Sequence, residues 1–131
     1  MSGHRRIVLL VEDEPLVAMI AGDIMEDLGY GVLNARTKSE ALAVLAVERS
    51  VALLFTDIDL ADGSPGIDLV RHFARLHPGV AIVVTSGRVQ PNALPAGARF
   101  LPKPYTEQDL AKAVGRGTGA SRRRHELAFA D

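Results

Sequence analysis

The sequence contains no cysteine and no tryptophan. Disulfide bridges and thiolate metal sites are therefore excluded, and a reducing compartment is compatible with every residue present. Aromatic residues make up 5% of the 131 positions against 47% apolar overall, so the core is aliphatic. Charge of one sign is not in excess. The formal net charge is -1, which gives no general pull toward nucleic acid or an anionic membrane. Long apolar runs are missing too: His4, Arg5 and Arg6 are followed only by Ile7 to Val11 before Glu12. That is too short for a signal peptide's hydrophobic region or a bilayer span. The expectation is a soluble, cytoplasmic domain without a membrane segment, long enough for one good core.

What is present is organised around Val51 to Phe55, an apolar run that passes through Thr56 into Asp57 and then meets Gly63, Ser64, Pro65 and Gly66. A short run bounded in this way reads as a strand buried on both faces, as in a parallel sheet. Ile7 to Val11 is a second such run, ended by Glu12-Asp13-Glu14-Pro15, where proline suits the first position of a helix. Val17, Ile20, Ile24 and Leu28 recur at helical spacing up to Gly29. Gly31 to Ala35 is a weaker strand, and Thr37 with Glu40 forms a capping box before Ala41, Leu42, Leu45 and Ala46. Leu69, Val70, Phe73 and Leu76 mark a third helix. Val80 to Thr85 and Arg99 to Leu101 are further strands, and Thr106 caps a helix carrying Leu110 and Val114. Gly87, Pro91, Pro95 and Gly97 leave room for one helical turn at most between the last two strands, so a helix there is expected to be short or missing.

Alternating strands and helices with short connections predict an α/β fold, a doubly wound five-stranded parallel sheet with right-handed crossovers. One of the two common strand orders is the flavodoxin-like 2-1-3-4-5. Strands 1 and 3 are then neighbours about 4.8 Å apart, and Glu12, Asp13 and Asp57 converge at the carboxyl edge where ligands bind. Their repulsion would be relieved by a hard divalent cation such as Mg²⁺. Ser86 leaves strand 4 on the same edge, and Lys103 leaves strand 5 at roughly 10 Å, a gap a long side chain can largely close. Taken singly, each has a plainer role: Asp57 as a turn residue, Glu12-Asp13 as a helix cap, Ser86 as a turn hydroxyl, Lys103 as a solvated strand end. Together they supply a carboxylate nucleophile, a metal pair, a hydroxyl and a cation, the inventory of phosphoryl transfer.

At these positions the sequence resembles the receiver domain of bacterial response regulators, over about residues 5 to 115. The resemblance rests on Glu12-Asp13, Asp57, Ser86-Gly87 and Lys103-Pro104, and it favours the 2-1-3-4-5 order. It implies that Asp57 accepts a phosphoryl group from a histidine kinase or histidine phosphotransfer protein. It further implies Mg²⁺ bound by Asp13 and Asp57, by Glu12 directly or through water, and by the backbone carbonyl of Asp59. Lys103 would pair with a phosphoryl oxygen, and Ser86 would bind another once Asp57 is modified. Thr85 competes for that hydroxyl role; Ser86 is preferred because it precedes Gly87. Phe100 matches the family's switch aromatic, and the Lys103-Pro104 bond resembles one that is usually cis. Two features depart from the family: the proline-broken segment after Ser86, and the charged Asp59 two residues past the acceptor.

The expected organisation is a receiver domain over residues 1–115 followed by a basic, flexible tail over 116–131. The chain is read as a stand-alone, single-domain response regulator that switches a partner protein, is not an enzyme in the ordinary sense, and assists its own phosphorylation and dephosphorylation. A homodimer is compatible with this. The rival reading is a Mg²⁺-dependent phosphohydrolase with an aspartyl-phosphate intermediate, for which Asp59 has the spacing of a second acid but no cap domain is visible. Nucleic-acid binding through Arg116 and Arg122 to Arg124 is a further rival, although three arginines are usually a solvated tail. A flavodoxin-like cofactor binder would need a phosphate-cradling glycine loop after strand 1, and none is there.

Overall fold

The computed structural model describes residues 5–60, 66–87, 94–115 and 117. In chain order the elements are β1 (Ile7–Val11), α1 (Pro15–Asp27), β2 (Gly31–Ala35), α2 (Lys38–Val47), β3 (Val51–Asp57), α3 (Gly66–Leu76), β4 (Ala81–Ser86), β5 (Arg99–Pro102) and α4 (Glu107–Val114). The strands form one parallel sheet of five in the order β2-β1-β3-β4-β5. Residues 94–98 lead into β5 without a helix. The expected short or missing helix there, and the expected tail over 116–131 apart from Gly117, fall mainly outside the described residues.

Alternation along each strand divides the core into two layers. Leu9, Val11, Leu54, Ile82 and Val84 pack against Ala41 and Leu45 of α2 and against Leu69, Val70 and Phe73 of α3. Val8, Leu10, Leu53, Phe55, Val83 and Leu101 pack against Ala21 and Met25 of α1 and Leu110 and Val114 of α4. The central strand β3 is covered on both faces, which is why its sequence is apolar without a break from Val51 to Phe55.

The helices begin where capping chemistry predicts, with one difference in detail. Thr37 Oγ1 accepts from Glu40 N at 3.1 Å, but the Glu40 carboxylate reaches Arg36 N at 2.7 Å, one residue before the cap. Thr106 and Asp109 form the reciprocal box at the start of α4. On α1, Ile24 and Leu28 of the apolar pattern pack on the core, but Ile20 does not. Ile20 is 50% exposed, whereas Ala21, Gly22 and Met25 are buried. Small residues let this helix lie close to the sheet, and a Cβ added at Gly22 would stand 3.7 Å from Leu10.

The amino end of the sheet is closed by backbone bonds. Arg6 N donates to Gly117 O at 2.8 Å, Gly117 N to Leu28 O at 2.8 Å, and Gly31 N to Arg6 O at 2.9 Å. Tyr30, fully buried, donates its hydroxyl to Val114 O and so ties the end of α4 to the start of β2. Among the described residues, no helix is long and apolar enough to cross a membrane.

Candidate functional site

Three ladders run one residue past their strands and fix the carboxyl edge. Glu12 N donates to Ala35 O at 3.0 Å, Ile58 N to Thr85 O at 3.1 Å, and Lys103 N to Ser86 O at 2.9 Å. Register then sets which residues meet. Val11 lies opposite Thr56, Asp57 opposite Thr85, and Thr85 opposite Leu101. By alternation Asp57, Thr85 and Lys103 share the face of Phe55, Val83 and Leu101. Gly66 lets α3 start against this edge, since a Cβ there would collide with the Ile58 backbone.

Asp57 and Glu12 are each only 3% exposed. One carboxylate oxygen from each of Glu12, Asp13 and Asp57 lies within 4.8 Å of the others. Lys103 Nζ contacts Asp57 Oδ2 at 2.9 Å and Glu12 Oε1 at 3.0 Å, with Glu14 Oε1 at 3.8 Å. Thus the side chain does close the gap expected between strands. The second Glu12 oxygen accepts from Glu14 N at 3.2 Å, but Glu14 is itself the N-cap of α1 and no side chain caps that helix, so Glu12 is not the cap. The other Asp57 oxygen, Oδ1, accepts from Asp59 N at 2.8 Å.

Burial raises the pKa of Glu12 above the usual carboxylate range, partly offset by hydrogen bonds from Lys103 and from the Glu14 backbone. Burial alone would lower the pKa of Lys103. Hydrogen bonds to Asp57 and Glu12 outweigh that and hold the ammonium above the ordinary lysine range. Lys103 therefore stays charged throughout the neutral range. One ammonium against three nearby carboxylates leaves excess negative charge, and oxygen donors of this kind suit a hard cation such as Mg²⁺.

Ser86 Oγ donates to Asp59 Oδ2 at 2.7 Å, a contact the sequence does not foretell. Thr85, the competitor for the switch role, is fully buried, and its hydroxyl has no hydrogen-bond partner among the described residues. Phe100 is half-buried on β5, facing the α2–α3 layer rather than the Lys103 side. The Lys103-Pro104 bond is cis. Sequence reasoning missed Tyr105. Its ring stands edge-on to Phe55 with centroids 6.0 Å apart, and its buried hydroxyl has no partner among the described residues. Burial first, and the Glu12 charge second, push its pKa up to about 12. β5 ends at Pro102, so no strand period reaches Tyr105 to announce it.

The family model for the response regulator receiver domain matches residues 8–115. The phyllosphere-induced regulator PhyR of Methylorubrum extorquens is 32% identical over 110 residues, covering 82% of this chain and 41% of that protein. The sensor kinase CckA of Brucella abortus is 33% identical over 113 residues, covering 82% of this chain and 12% of that protein. The chain thus spans less than half the length of either of these curated relatives. Among solved structures, a CheY-like receiver domain protein from Methanospirillum hungatei superposes with a TM-score of 0.75 at 26% identity, covering 98% of this chain and 100% of that one. Sheet order, family match and relatives agree: this chain belongs to the response regulator receiver domains of two-component signalling.

Proposed function

We propose that Asp57 is the phospho-acceptor of this receiver and that its phosphorylation controls a partner protein. The observation that carries the reading is the meeting of Glu12, Asp13 and Asp57 at one point, with Lys103 Nζ 2.9 Å from Asp57. A carboxylate oxygen of Asp57 attacks the phosphorus of a phosphohistidine on a histidine kinase or phosphotransfer protein. The new O–P bond forms as the N–P bond breaks, and the electron pair returns to the imidazole. Lys103 neutralises charge on the transferred group. Glu12, Asp13, Asp57 and the Asp59 carbonyl would hold Mg²⁺, which supplies charge stabilisation to the phosphoryl oxygens when bound. Ser86 supplies a hydroxyl to a phosphoryl oxygen, and its movement, followed by Phe100, converts the charge into a change of shape. Hydrolysis of the acyl phosphate, assisted by the same groups, resets the domain.

The test is Mg²⁺-dependent labelling with acetyl phosphate. The parent should take up phosphate on an acid-stable, base-labile linkage, and Asp57→Asn should lose it at least about a hundredfold, as expected for removal of a nucleophile. Equal labelling of both proteins would defeat the assignment. Sustained turnover of small phosphate esters would favour a phosphohydrolase instead.

A further inference from the structure

We propose that Asp59 is a positioning residue whose carboxylate holds the Ser86 hydroxyl away from Asp57 until a phosphoryl group displaces it. This rests on Asp57 being the phospho-acceptor and concerns what sets the threshold of the switch. Ser86 Oγ donates to Asp59 Oδ2 at 2.7 Å, within the range of hydroxyl-to-carboxylate bonds strengthened by charge. A serine hydroxyl has one proton to donate. While that proton lies on Asp59, it is not available to an oxygen on Asp57.

The main chain that carries the exposed carboxylate is anchored. The Asp59 backbone N–H donates to Asp57 Oδ1 at 2.8 Å, so this residue is bonded to the acceptor through its main chain and to the end of β4 through its side chain. Ser86 is 1% exposed, and its carbonyl accepts from Lys103 N at 2.9 Å, so the hydroxyl is presented from an ordered strand end. A neutral apolar side chain at position 59 would take this anionic acceptor from the hydroxyl. The acidic one opposes the switch, because an exchange of one anionic acceptor for another gains less than a first engagement.

Removing Asp59 could also act through charge alone, by lessening repulsion of an incoming phosphoryl group. The two routes differ in one respect: only the hydrogen-bond route needs Ser86. The experiment therefore titrates the chain with beryllofluoride in Mg²⁺, following backbone amides by NMR, in the parent, Asp59→Ala, Ser86→Ala and the double variant. Asp59→Ala should lower the half-saturating beryllofluoride concentration on the order of tenfold, the scale of a hydrogen bond to a charged group. In the Ser86→Ala background the same substitution should give no gain. Without beryllofluoride, Ser86 β-proton couplings should report one χ1 rotamer in the parent and a different rotamer distribution in Asp59→Ala. An equal gain in both backgrounds, no gain in either, or an unchanged rotamer would overturn the proposal. A parent that does not bind beryllofluoride, or an Asp57→Asn variant that still does, would instead remove the phospho-acceptor reading beneath it.

Discussion

The two ends of the sheet are built on opposite principles. At the amino end, Arg6, Leu28, Gly31 and Gly117 exchange neutral backbone bonds, and the one buried phenol there has its acceptor in Val114. At the carboxyl end, buried carboxylates crowd one ammonium, and two buried hydroxyls, Thr85 and Tyr105, lack partners among the described residues. Burying unmatched polar groups costs stability, so their concentration at one end identifies the end kept for chemistry rather than for cohesion.

Substitutions can break or sharpen that contrast. The largest effect on stability is expected at the amino end. Gly117 lies so close to the backbone of Gly29 and Tyr30 that any Cβ would overlap it. Gly117→Ala should cost about 1–3 kcal/mol by thermal or denaturant unfolding while leaving acetyl phosphate labelling intact. A stable Gly117→Ala protein would show that this crossing is dispensable. Tyr30→Phe should cost about 1 kcal/mol, again without touching labelling, because the buried Val114 carbonyl loses its donor. At the carboxyl end the sign should reverse. Thr85→Val exchanges an unpartnered buried hydroxyl for a methyl group of similar size and should stabilise the fold by about 0.5–1 kcal/mol. Destabilisation by Thr85→Val would mean that the hydroxyl is satisfied after all.

The smallest effect is spectroscopic. Burial raises the pKa of both tyrosines, with Tyr105 pushed from 10.0 up to about 12. The folded state therefore keeps protons that the unfolded state loses, and stability should fall as pH rises from 10.0 towards about 12. Phenolate absorbance at pH 10 should fall short of half its full amplitude, the level two exposed tyrosines would give. A half-developed signal at that pH would show both rings titrating as exposed tyrosines.

Much of this contrast is legible in the sequence. The unbroken run into Asp57 announces a strand covered on both sides, and three acids with Lys103 announce a charged edge, because strand ends and register follow from hydrophobic period. On α1 the exposure of Ile20 is not legible, since it outweighs Ala21 and Gly22 on any hydrophobic count, yet close helix–sheet packing selects the small residues. Glu40 serving Arg36 rather than Thr37, and Ser86 turning to Asp59, depend on rotamers beyond the ends of regular elements, where periodicity carries no information. Tyr105 lies past the end of β5 at Pro102, where no period marks it as inward-facing.

Ser86 gives its carbonyl to Lys103 and its hydroxyl to Asp59. One residue thus works as a yoke, harnessing the strand that carries the cation to the loop that follows the acceptor. The backbone that seats Lys103 and the side chain that meets Asp59 therefore belong to one and the same residue.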